Sequence, residues 1–392
     1  MILKFEAKIQ DGYLEIGDWQ RGDPEITNFR FLEKFDIKEL KICISHNTSI
    51  KLQSKTITEL TLQISGNMED QVLNLKVDDL DLENLEVLDI QCNNLENHQL
   101  YNLTKFNKLH SLNVSRNKVD LTHIHSVISL TNLYIQQCDL KNIDQIALLT
   151  NLEVLNISWN YLKKIDSIHQ LANLKELDIS YNENLDIAPL QDLTSLIKLD
   201  LRRCALKQLS ALKYLINLQT LYLSDNDKIN ITELQYLKNL SFLNLKGCNL
   251  VSIYVLRPLI NLKNINISLN SIIYFDVNLN EMKNLEELRV NNNLVLDFLS
   301  IEKHQYFNNL DEWGNSYFDI SDQAKPSKKQ LRKASKMRCI EAPNIQLKEH
   351  QNKHKAFNTI LNNFKKELNA AMILFQLIIL FCQHLLWLNF SK

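Results

Sequence analysis

From residue 37 to about 310, apolar residues fall at two alternating spacings. Written from Leu152, the chain reads LEVLNISWN then YLKKIDSIHQLAN; from Leu174, LKELDISYN then ENLDIAPLQDLTS; from Leu196, LIKLDLRRC then ALKQLSALKYLIN. In the first part of each unit, apolar residues at positions 4 and 6, such as Leu177 and Ile179, alternate with polar ones, which predicts a short strand with one face buried. In the second part they recur every third residue, as at Leu162, Ile165, Ile168 and Leu171, which predicts short 3₁₀ or helical turns. Ile37, Ile57, Leu85, Leu109, Leu130, Leu152, Leu174, Leu196, Leu218, Leu240, Leu262 and Leu285 open about twelve such units. The step is 22 residues from Leu130 through Leu262, but 20 and 28 near the N-terminus and 23 at the last step, so the early units read as capping or insertion-bearing. One unit cannot bury its own apolar face, so neighbours must stack into an α/β repeat solenoid.

Position 9 is Asn at Asn93, Asn117, Asn160, Asn182, Asn226, Asn270 and Asn293, and Cys at Cys138, Cys204 and Cys248. An inward Asn can bond backbone groups left free where the strand turns, and Cys is a small, buryable substitute with a weak S–H donor. These residues form the expected structural ladder. Positions 3, 5, 7 and 8 point away from the core, and there Tyr134, Trp159, Tyr181, Lys198, Arg202, Arg203, Tyr222 and Phe242 gather in mid-array. Aromatics and Arg dominate interface hot spots, so these eight are the candidate partner-binding residues; stacking on one another along the sheet is the structural alternative.

The motif L-x-x-L-x-L/I-x-x-N/C, repeated in phase over residues 37–310, resembles the leucine-rich repeat family in its 22-residue class, which includes a protein phosphatase 1 regulatory subunit and the internalins. Its texture is similar to the expanded repeat families of anaerobic protists. The resemblance implies a horseshoe with a parallel β-sheet on the concave face and 3₁₀ or helical turns on the convex face. It also implies a non-enzymatic scaffold that binds a protein partner through the concave face, or alternatively a phosphatase-regulator-like subunit controlling a catalytic partner. No cofactor and no metal are expected.

Composition excludes several chemistries. Six Gly and five Pro in 392 residues leave no phosphate loop or dinucleotide fingerprint, since Gly is what lets backbone approach a phosphate. His123-x-His125 has no Cys, Asp or Glu at metal-ligand spacing, and Cys339 in the basic run MRCIE lacks a domain large enough to make it catalytic. Seven Cys without a CxxC pair, and a charged N-terminus, fit a reducing, cytoplasmic compartment. The sequons at Asn113, Asn156 and Asn266 all fall on position 5 and read as by-products of the repeat. Charge is divided: residues 1–324 hold 31 basic and 43 acidic residues, twelve net negative charges, whereas 325–366 hold 12 basic and 2 acidic. With Asp89, Asp178, Asp200 and Asp225 on the open face, nucleic acid is not the expected partner.

The remaining segments read as an N-terminal cap (1–36), a cap end and basic linker (311–343), an amphipathic basic helix (344–369) and a hydrophobic helix (370–390). Residues 370–388 have a mean hydropathy of about +2 and roughly 29 Å of helical length, enough to span a hydrocarbon core. Two readings stay open: a tail anchor facing the cytosol, or self-association through the C-terminal helices.

Overall fold

The computed structural model describes residues 7–16, 32, 36–44, 50–64, 75–272, 277, 281–290, 292–293 and 317–319. The expected helices at 344–369 and 370–390, the linker at 311–343 and Cys339 lie outside the described residues. Among the described residues no helix is long and apolar enough to cross a membrane.

A hairpin of β1 (Ala7–Gln10) and β2 (Tyr13–Ile16) opens the array. Asp11 and Gly12 turn it with φ of 47° and 84°, a left-handed pair that Asp-Gly adopts at little cost. Two longer strands follow, β3 (Glu39–Ile44) and β5 (Glu59–Ile64), with β4 (Leu52–Ser54) and β6 (Leu80–Leu82) between and after them. Ten three-residue strands complete the repeats: β7 (Val87–Asp89), β8 (Ser111–Asn113), β9 (Asn132–Tyr134), β10 (Val154–Asn156), β11 (Glu176–Asp178), β12 (Lys198–Asp200), β13 (Thr220–Tyr222), β14 (Phe242–Asn244), β15 (Asn264–Asn266) and β16 (Glu287–Arg289). The last described strand is β17 (Tyr317–Asp319).

Every strand from β3 to β16, apart from β4 and β6, starts at position 3 of one of the twelve units. Together with β2 they form one parallel sheet, in which each residue faces its counterpart in the next unit, as Leu155, Leu177 and Leu199 do. Antiparallel β1 and β17 flank its two ends. The irregular early units carry β4 and β6, which pair in a separate two-stranded sheet where later units have 3₁₀ turns. Those turns span Asp144–Leu148, Asp166–Gln170, Ala188–Asp192, Ser210–Tyr214 and Thr232–Tyr236, each placing its third residue in the core. Leu152, Leu155, Ile157, Leu162, Ile165, Ile168 and Leu171, the apolar set of one unit, are all buried.

One feature is not visible in the hydrophobic pattern. In all ten units from Leu85 to Leu285, position 8 is left-handed, with φ between 52° and 66°, and only Gly247 among them is glycine. The bend turns position 9 into the core, and position 7, expected to point outward, is buried where it is Ser, at Ser115, Ser158, Ser180, Ser224 and Ser268. The N–H of position 8 is held by the position 7 carbonyl of the next unit, as Trp159 is by Ser180 at 2.9 Å and Tyr181 by Arg202 at 2.7 Å. A non-glycine residue there costs about 1–2 kcal/mol, and Asn tolerates the conformation best. Leu269, with φ 54° and 46% exposed, has a branched side chain and little burial to offset that cost. Leu269→Asn is therefore expected to raise stability by about 0.5–1 kcal/mol in urea titration.

Candidate functional site

Position 9 fixes the turn behind the open face. At Asn160, Asn226 and Asn270 the side-chain Oδ1 accepts two N–H groups of the preceding unit, from Cys138 and Leu140, Cys204 and Leu206, and Cys248 and Leu250, at 2.9–3.1 Å. Nδ2 donates to the position 6 carbonyls of its own and the preceding unit, at 2.8–3.0 Å. Asn182 donates in the same way to Ile157 and Ile179 and accepts from Leu162. Asn117 accepts from Asn93 and Leu95, Asn93 donates to Leu62, and Asn293 donates to Ile267 and Val290.

Cys138, Cys204 and Cys248 are each placed between two Asn units. Their Sγ atoms donate to Val114, Ile179 and Leu223 carbonyls at 3.5, 3.3 and 3.2 Å. Burial pushes these thiols up to about 11, 12 and 11, so at neutral pH they are protonated donors and not nucleophiles. In the units before Cys204 and Cys248, Asn184 and Lys228 are left-handed, and the Asn184 N–H goes to the Cys204 carbonyl at 3.1 Å.

Position 5 carries a role missed in the sequence. Asp89, Asn113, Asn156, Asp178, Asp200, Asn244 and Asn266 all accept the N–H of position 7 through Oδ1, closing the end of the strand with an Asx turn. The three sequons are these turn residues, and the Ser158 and Ser268 hydroxyls also donate to their Asn. The recurring Asx at position 5 with Ser two residues on was the available signal.

On the outer surface the eight candidate residues divide into groups. Trp159 and Tyr181 stack at 3.8 Å with ring planes 12° apart, and the Arg203 guanidinium covers Tyr181 at 5.3 Å. Arg203 Nε donates to Asp225 Oδ2 at 3.2 Å, and a Cβ on Gly247 would stand 2.7 Å from Asp225 Oδ1. These five residues occupy position 8 of five consecutive units and form one column. Tyr222 and Phe242 pack at 4.8 Å, with Arg202 over Tyr222 at 5.5 Å. Lys198 is tied to Glu176 at 3.0 Å, and Tyr134 stands apart, beside Asn156 in the sheet register.

Asp200 belongs to the open-face row but is only 6% exposed, because Arg202 lies over it with Nε 2.9 and 2.8 Å from its two oxygens. Neighbouring Asp178 is half-buried, and its carboxyl is raised above its ordinary value by burial and then by the charge of Asp200. A raised carboxyl binds its proton more tightly in the folded chain, so its contribution is complete below the unfolded carboxylate range and is lost as pH rises through the folded value. Asn156 fills this position in the preceding unit, so Asp178→Asn should melt higher than wild type at pH 7. The difference should vanish below about pH 4.

The remaining candidates do not assemble. His123 contacts Tyr101 edge-on at 5.8 Å, while His125 bonds the Leu121 carbonyl at 2.9 Å. Among the described residues no group of His, Cys, Asp and Glu could hold a metal ion. A second exposed surface lies on the opposite flank, where Tyr214, Ile216, Tyr236 and Ile260 project from consecutive units.

A family model for the leucine rich repeat matches residues 128–183. Among solved structures, an internalin (InlF) from Listeria monocytogenes is similar at 18% identity and a TM-score of 0.52, over 74% of this chain and 77% of that one. The functional domain of InlJ from the same organism, described as including a cysteine ladder, is similar at 18% identity and a TM-score of 0.50, over 71% and 68% of the two chains. No curated protein matches the chain. At these identities the likeness is one of fold.

Proposed function

The chain is a leucine-rich repeat protein, and from that premise we propose that it is a non-enzymatic scaffold that binds a protein partner through the open face of its sheet, centred on Trp159, Tyr181 and Arg203. The observation that carries this reading is the position 8 column. It holds a tryptophan 52% exposed on backbone fixed by ladder hydrogen bonds, so binding orders few side chains. The twelve repeats support an interaction scaffold in general, and the column supplies the anchor type that interface hot spots favour. Charged neighbours are already paired, Lys198 with Glu176, Arg202 with Asp200 and Arg203 with Asp225, which lowers the cost of covering them.

The test is affinity capture on the full chain, with the partner then measured against Trp159→Ala, Arg203→Glu and, as a flank control, Tyr214→Ala. Loss of the partner with the first two and retention with the third is expected. Retention with Trp159→Ala and Arg203→Glu would remove the open face as the binding site.

A further inference from the structure

Building on the open-face reading, we propose that the Trp159 ring is the docking point for an arginine side chain of a basic segment in the protein partner. The column has an internal order. Tyr181 is covered on one side by the Trp159 ring and on the other by the Arg203 guanidinium, and Arg203 is in turn neutralised by Asp225. Asp225 then abuts Gly247, where no side chain follows. The column is therefore closed at that end. At the other end, among the described residues, Trp159 has a ring contact with Tyr181 alone, and its neighbour at position 8 of the preceding unit is Gln137, which offers no ring and no cation.

The same surface shows what its aromatics accept. Tyr181 and Tyr222 each carry a guanidinium, at 5.3 and 5.5 Å from the ring centroid, within the range in which the ring quadrupole attracts a cation. Trp is the strongest of the aromatic acceptors, yet among the described residues no cation lies over Trp159, as none lies over Tyr134 or Phe242. Arginine is the better occupant than lysine because its planar, weakly hydrated guanidinium stacks on a flat ring.

The field favours the same occupant. Residues 1–324 carry twelve net negative charges. Nearest the column, the open-face cations Lys198, Arg202 and Arg203 are each held by an acid, leaving Arg116 and Lys246 as exposed cations further along the face, while Asp178 keeps a carboxylate that burial makes costly to ionise and a nearby cation would stabilise. A basic segment is thus attracted at long range and anchored at one ring.

The experiment titrates the full chain with a synthetic capped peptide of alternating Gly and Arg, and with Lys and Glu peptides of the same length. Saturable binding of the Arg peptide is expected, several-fold weaker binding of the Lys peptide and none of the Glu peptide. Trp159→Leu, which keeps an apolar side chain without the ring, should weaken the Arg peptide about tenfold. Trp159→Phe should restore part of that loss, and Tyr214→Leu on the flank should change nothing. Failure of the Arg peptide to bind, equal binding of the Lys peptide, or indifference to Trp159→Leu overturns the proposal. If a captured partner is lost in Trp159→Ala but the Arg peptide does not compete with it, the arginine reading falls and the open-face reading stands. If the partner survives Trp159→Ala, the parent reading falls.

Discussion

Asn226→Ala lowers the free energy of unfolding by about 3–5 kcal/mol. The side chain is fully buried and serves four backbone groups at once, the N–H groups of Cys204 and Leu206 and the carbonyls of Leu201 and Leu223. Each group left buried without a partner costs about 1–3 kcal/mol, and water entering the vacated space recovers part of the sum. Alanine supplies neither donor nor acceptor, and the parallel ladder on both sides keeps the strands from shifting to find new partners. Cys204→Ala in the adjacent unit removes a single weak S–H donor and should cost only about 1–2 kcal/mol. Urea titration of the two variants measures the contrast. A loss under about 1 kcal/mol in Asn226→Ala would mean that the turn closes without its asparagine.

Leu221→Ala has an effect of similar size by a different mechanism. Leu221, at position 4 of its repeat unit and in the middle of β13, is fully buried and stands in register with Leu199 and Leu243 on the neighbouring strands. Truncation of a buried leucine costs about 2–5 kcal/mol, depending on how far the surroundings collapse into the space. Here the strands above and below are fixed at the spacing of a hydrogen-bonded sheet, about 4.8 Å, so collapse is limited and the upper half of the range is expected. Because each repeat contacts only its neighbours, the loss should also appear as faster hydrogen exchange at Leu199 and Leu243 than at distant Leu112. Uniform exchange along the array would contradict nearest-neighbour stacking.

The architecture was legible because its signal is periodic. Strand starts at Glu39, Glu59, Val87 and on to Glu287 follow from positions 4 and 6, and the 3₁₀ turns follow from the three-residue spacing after them. Residues at a fixed phase without a hydrophobic signature were harder to read. Position 8 is Cys, Arg, Gln, Trp, Tyr, Arg, Asp, Gly, Leu and Asn in successive units, and nothing in that set announces a left-handed backbone, which the ladder imposes against local preference. The Asx turns at position 5 were visible as recurring Asn and Asp, but their partner is a backbone N–H. A further asparagine row, Asn151, Asn173, Asn217, Asn239 and Asn261, just before five of the units, donates to a carbonyl of the unit before at 2.8–3.0 Å. The repeated Asn-Leu dipeptide was its sign.

The candidate site divides along the same line. Outward projection of Trp159, Tyr181 and Arg203 followed from phase, whereas their joining into one column depends on which side chain the next unit offers. Phase also placed Asp200 on the open face, but only the side chain of Arg202 decides that it is covered.

Hydroxyl-radical footprinting of the full chain with its captured partner compares the two exposed aromatic surfaces in one measurement. Binding through the open face predicts that Trp159 and Tyr181 lose reactivity in the complex while Tyr214 and Tyr236 on the flank keep theirs. Protection of Tyr214 and Tyr236 with Trp159 unchanged would contradict the account.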